Sequence, residues 1–107
     1  MFGRLATVRM KNAEDAFAAG RLEDAFEIAI AEDLSENRRI QRLRRDLTEA
    51  LLQRGQEHLL GKRFNHALAD FDRAARCGHQ TKKVAQWQRR AREAMQAEQA
   101  LQDDQAA

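Results

Sequence analysis

A pattern of small and large residues occurs twice in this chain, and it restricts the fold more than any other feature. Ala13, Gly20, Leu22, Ala25 and Ala29 recur as Gly55, Gly61, Phe64, Ala67 and Phe71. In each copy a small residue lies inside an apolar-periodic segment and a glycine interrupts that segment. A large apolar residue, followed three positions later by Ala, opens the next. A helical hairpin has these requirements: small residues let two helices approach, glycine permits the tight turn, and a large side chain wedges between the helices. The copies lie 42 residues apart, measured from Ala25 to Ala67. Repetition at a fixed offset predicts stacked hairpins, each too small to bury its own apolar face.

Composition points the same way. Val and Ile together number five (Val8, Ile28, Ile30, Ile40, Val84), and there is no Pro and no Tyr. A chain rich in Ala, Arg, Gln, Glu and Leu with so few β-branched residues is expected to be all-α. At 107 residues it makes one small domain, able to hide roughly two-thirds of its unfolded surface. Periodicity predicts five helices. The first runs from about Leu5 to Ala19, carrying Ala6, Met10, Ala13 and Phe17 on one stripe. The second covers about Leu22 to Asp33. The third, with Ser35 as its expected N-cap, covers about Glu36 to Leu60. The fourth and fifth cover about Asn65 to Arg76 and Thr81 to Gln99. The domain is expected over 1–101, with 102–107 a polar tail that frays.

The second copy resembles the tetratricopeptide repeat: Gly55, Phe64, Ala67, Phe71 and Ala74 fall at that family's spacings, with Gly61 one position early for its turn. The first copy matches at Ala13, Gly20, Leu22 and Ala25, but Ala29 and Glu32 stand where the family has an aromatic and a final Ala. Trp87 with Ala91 four residues later resembles the start of a third repeat. The likeness covers about residues 5–100. Two departures are plain: the 42-residue offset exceeds the family's usual length, and the Pro between repeats is missing. The resemblance implies antiparallel hairpins stacked as about two repeats plus a C-terminal capping helix, an α-α superhelix. A generic four- or five-helix bundle is the alternative, because any antiparallel bundle can place Gly between helices and Ala in its seams.

Charge and chemistry exclude several function classes. The N-terminal segment is interrupted by Arg4 and Arg9, so it has no continuous apolar region of the secretory kind. No apolar run approaches the roughly 20 residues that span a bilayer, so no membrane role is expected. A lone cysteine, Cys77, forms no internal disulfide, which favours a reducing cytoplasm. His58 and His66 are eight apart across a turn, and Cys77 with His79 offers two ligands where zinc needs three or four. The expectation is a buried Cys with surface histidines, no metal, no cofactor and no catalytic set. Adjacent acid pairs such as Glu14-Asp15 and Glu23-Asp24 diverge on a helix and do not converge on a substrate.

Net charge is +2, but it is unevenly spread: residues 34–92 are basic and both ends are acidic. The run Arg38, Arg39, Arg42, Arg44 and Arg45 puts five guanidiniums in eight residues. Helical spacing offers Arg42 to Asp46 and Arg45 to Glu49 as i,i+4 pairs. The alternative is an anionic-partner surface of Arg38, Arg39, Arg42 and Arg45 that takes nucleic acid.

The leading functional expectation is a non-catalytic scaffold, free-standing or the N-terminal part of a larger protein, that holds a peptide or partner helix in a concave groove. The resemblance implies a groove lined by Met10, Glu14 and Phe17, then Leu52, Gln56 and Leu59, then Gln88, Arg89, Arg92 and Met95. Family members that grip chaperone tails use Lys and Asn where Met10 and Glu14 stand here, so that ligand is disfavoured. A homodimer is the third possibility, with Met1, Phe2 and Leu5 as an exposed edge.

Overall fold

A computed structural model describes residues 2–106. It contains α1 (Phe2–Ala18), α2 (Leu22–Ala29), a 3₁₀ turn (Glu32–Leu34), α3 (Arg38–Leu60), α4 (Phe64–Cys77) and α5 (Thr81–Ala106), with no strand among the described residues. The all-α expectation is met. Each helix packs on its chain neighbours, while α1 also touches α3 and α3 touches α5. The molecule is elongated, 65 × 25 × 17 Å.

The turns explain why the repeat has its punctuation. At the end of α1, Gly20 has φ +79°; its N–H donates to Phe17 O (3.0 Å) and Arg21 N–H to Ala16 O (2.9 Å). These two bonds make a Schellman stop, which needs a left-handed residue. The same pair of bonds ends α3, from Lys62 to Leu59 O (3.0 Å) and from Arg63 to His58 O (2.8 Å). There the left-handed residue is Lys62, with φ 59°, and Gly61 keeps φ −84°. Gly61 is therefore not the residue that breaks α3, and the left-handed position at 62 matches Gly20 at the full 42-residue offset.

Four boundaries differ from the sequence reading. α2 ends at Ala29 rather than Asp33, and Glu32–Leu34 forms a separate 3₁₀ turn. Asn37, not Ser35, caps α3: its side chain accepts from the Arg39 N–H (2.9 Å) and the Ile40 N–H (3.3 Å). Ser35 instead follows the 3₁₀ turn, and its carbonyl accepts from Gln41. α1 begins at Phe2, and α5 continues as helix to Ala106, past the point where fraying was expected.

The main core joins all five helices. Ala13, Ala25, Leu47, Leu51, Ala67, Phe71, Ala74 and Ala91 are inaccessible to solvent. Gly55 is buried against Phe71: a Cβ there would lie 2.5 Å from Phe71 Cε1 and 2.8 Å from Cδ1. On its other side Phe71 stacks on Trp87, with centroids 6.0 Å apart and planes at 30°. A smaller core of Met10, Leu34 and Ile40 lies under α1, the 3₁₀ turn and the start of α3.

A left-handed, non-glycine residue costs about 1 kcal/mol. Lys62→Gly should therefore raise stability by about 1 kcal/mol in urea denaturation. The surface pair it gives up, Lys62 Nζ to Glu98 (3.3 Å), is well solvated and is worth well under ~1 kcal/mol.

Candidate functional site

Where α1 crosses α3, the inner side of the molecule forms a trough that runs on toward the start of α5. Its first part, about 250 Å³, lies between Glu14 and Phe17 of α1 and Arg39, Arg42, Leu43 and Asp46 of α3. The second part, about 330 Å³, shares Phe17 and Asp46 and continues along Glu49, Ala50, Leu52, Gln53 and Gln56 to Lys83 of α5. The floor is apolar, while the walls alternate in charge and amide character. Helical spacing produces this: α3 turns Leu43, Leu47 and Leu51 into the core, which leaves Arg39, Arg42, Asp46, Glu49 and Gln53 on the flank facing the trough.

One wall is fixed by an ion pair. Arg39 Nη2 donates to Glu14 Oε1 (2.5 Å), and Nε donates to Oε2 (3.3 Å). That bond holds the Glu14 carboxyl below its ordinary value and the Arg39 guanidinium above its own. Arg44 is used differently: its Nε donates to Ala29 O (2.6 Å) and its Nη2 to Ala31 O (3.4 Å). Ala29 O is a free carbonyl of the last turn of α2, so Arg44 acts as a C-terminal cap contributed by another helix, while Ala31 O also accepts from the Leu34 N–H of the 3₁₀ turn (3.1 Å). The proposed i,i+4 pairs of the Arg run do not form among the described residues. Arg45 Nε instead lies 3.7 Å from its neighbour Asp46. Arg39 and Arg44 make tertiary contacts, because α1 and α2 present a carboxylate and carbonyls to this edge of α3.

A second cluster was not anticipated from sequence. Asp70, on α4, is almost fully buried, and Arg54 of α3 grips it with two bonds, Nε to Oδ2 (2.9 Å) and Nη2 to Oδ1 (2.7 Å). Arg73 adds a bond to Oδ1 (3.0 Å), and His58 Nε2 stands 3.7 Å from Oδ2. Arg54 also reaches Glu23 of α2, which lowers the Glu23 carboxyl from its ordinary value. Burial tends to lower the Arg54 guanidinium, but the bonds to Asp70 and Glu23 win and raise it. The network joins three helices, and every buried polar side-chain atom among the described residues has a partner. Arg63 Nε donates to His58 Nδ1 (2.9 Å), which leaves Nε2 as the N–H facing Asp70.

The residues expected to line one groove divide among three surroundings. Glu14, Phe17, Leu52 and Gln56 do meet in the trough, although Leu52 is nearly inaccessible there. Met10 is taken up by the smaller core, and Leu59 is half-buried against the main core. Gln88 donates to Asp72 of α4 (2.8 Å), and Met95 lies in a separate cleft of about 570 Å³ with Phe64, Asn65 and His66. Both therefore sit on the α4 side of α5, away from the trough, and Arg89 and Arg92 are exposed on α5. Of the alternative anionic surface, Arg39 and Arg42 belong to the trough itself, while Arg38 and Arg45 are exposed beside it.

The turn after α3 brings His58 and His66 together, with ring centroids 5.2 Å apart. No group of three or more His, Cys, Asp or Glu among the described residues is arranged for a metal. Cys77 is buried, which pushes its thiol up against a smaller opposing effect of a bond to Thr48. No described helix is long and apolar enough to cross a membrane. Comparison with protein-family models, curated proteins and solved structures gave no significant match.

Asp70→Asn takes the buried carboxylate away from Arg54 and Arg73, leaving the solvated Glu23 as the acid of the network, and should cost about 3 kcal/mol. Glu23→Gln, at the solvated edge of the same network, should cost about 0.5 kcal/mol. Urea denaturation of the two variants side by side measures the difference.

Proposed function

We propose that the chain is a non-catalytic interaction module that holds a peptide or partner helix in the trough between α1, α3 and the start of α5. The observation that carries this reading is the continuity of that trough: an apolar floor at Phe17 and Leu43, with cationic, anionic and amide groups at intervals along its rim. Recognition of a segment works this way, with apolar side chains as anchors, amides meeting backbone groups and charges setting direction. Arg42 takes no ion pair among the described residues and stands ready for a carboxylate of the ligand. Gln53 and Gln56 follow along the rim.

Assignment to the tetratricopeptide class belongs to the same proposal. It is supported by the order of helix packing, by the α1–α3 and α3–α5 contacts, and by the fit of Phe71 onto Gly55. The buried single thiol of Cys77 suits a reducing cytoplasm. Nucleic acid is the lesser reading for the Arg run, because Arg39 is engaged by Glu14 and Arg44 by the α2 carbonyls.

A random peptide library selected against the purified chain tests the proposal. Selected peptides should lose at least about thirty-fold in affinity with Phe17→Ala, since a central anchor is worth ~2 kcal/mol or more. Arg42→Glu should weaken the same peptides when they carry an acidic end, without affecting thermal unfolding. Failure to select any peptide, or equal affinity for wild type and both variants, would contradict it.

A further inference from the structure

The outward face of α5 is divided by charge. Residues 82–92 hold five cations and no acid, and residues 93–104 hold four acids and no cation. One exposed stripe runs the length of the helix through Lys82, Gln86, Arg89, Glu93, Ala97 and Asp104. The steps are three, four or their sum, seven, so the stripe keeps to one side. Among the described residues, only Glu98 of these nine charged groups takes an ion pair, with Lys62.

Two features make this face unsatisfied within one subunit. Segregation leaves a single i,i+4 acid–base spacing on α5, Arg89 to Glu93 at the boundary, and no ion pair forms there among the described residues. The polarity is also opposed to the helix dipole, which favours acids in the first turn and bases in the last. α5 has no acid in its first turn and no base in its last. Lys82 and Lys83 occupy the start, and Asp103 and Asp104 lie near the end.

We propose that a second copy of this chain covers the face, its α5 antiparallel to the first. A two-fold axis near Glu93 sets Lys82 opposite Asp104 of the partner subunit and brings the two Glu93 carboxylates together, while Arg89, opposite Ala97 of the partner subunit, lies one turn from the partner subunit's Glu93 and offsets that like-charge contact. Antiparallel alignment then places each acidic helix end beside a cationic, dipole-positive helix start. The contact is isologous and closed, so it stops at a dimer. Ala97 and Ala100 leave room for the axes to approach. The trough lies on another flank of α5, so ligand and second copy do not compete.

Sedimentation equilibrium of the full chain tests this. The wild type should dimerise, and dimer affinity should fall at least about tenfold from low salt to ~1 M, where the screening length shrinks to about 3 Å. Lys82→Glu/Arg89→Glu should be monomeric, and so should Glu93→Lys/Asp104→Lys. Helical circular dichroism of each should persist, because Lys82→Glu and Asp104→Lys favour the dipole near the two ends of the helix, and Arg89→Glu and Glu93→Lys are exchanges at exposed positions inside it. An equimolar mixture of the two variants should form a heterodimer. Glu93→Cys should cross-link to itself on oxidation, whereas buried Cys77 should not. A wild type that stays monomeric at low salt would overturn the proposal, even if it bound an oligonucleotide through the cationic half. Association unchanged in either variant, or no heterodimer on mixing, would overturn it equally.

Discussion

The absence of one side chain, at Gly55, allows the second hairpin to close. Phe71 occupies the space a Cβ would need, and it is inaccessible to solvent as a result. Packed against Gly55, the ring lies on the C-terminal half of α3, and from there it stacks on Trp87 of α5. Three helices thus share one aromatic seam, and α3 has its most extensive packing against α4. The first hairpin handles the same positions with different volumes: Ala13 stands for Gly55 and Ala29 for Phe71. Both Ala13 and Ala29 are inaccessible to solvent, so the first copy buries these positions with two small residues rather than with a glycine and a ring.

Polar groups then tie the first hairpin to the second. Arg44 satisfies carbonyls at the end of α2, Arg54 reaches from Asp70 to Glu23, and Arg39 holds Glu14. These arginines all lie on α3, the first helix of the second hairpin; Arg39 reaches α1, Arg44 and Arg54 reach α2, and Arg54 also holds α4. The basic run is therefore divided in purpose. Arg39 and Arg44 maintain the stack, whereas Arg42 faces the trough. For the proposed segment-binding role, walls held by such bonds lower the ordering cost.

Much of the architecture was legible because helices advertise themselves locally. The apolar stripes through Met10 and Phe17, or Ile40 and Leu51, follow one period, and Gly20 sits where a left-handed residue is needed. Other parts were hidden because they depend on what a distant residue does. Lys62 takes the left-handed turn although glycine lies next to it, so Gly61 was a misleading marker. Asp70 is an acid on the apolar stripe of α4 between Ala67 and Ala74; that placement was the available signal for a buried partner. Which one it was, Arg54, could not be read before the hairpin closed. The groove was half legible: Glu14, Phe17 and Gln56 converge, while Met10 is consumed by the core and Gln88 and Met95 lie toward α4. Assigning faces by repeat register fails there because α5 is rotated to meet Asp72 and the start of α4.

A double-mutant cycle at positions 55 and 71, read by urea denaturation, tests the role of this seam most directly. Gly55→Ala in an ordinary helix gains about 1 kcal/mol in propensity, but against Phe71 it should instead lose about 1–3 kcal/mol to overpacking. In the Phe71→Leu background the same change should become neutral or stabilising, giving a coupling of at least ~1 kcal/mol. A Gly55→Ala variant that stabilises the wild type, with no coupling to position 71, would contradict the account.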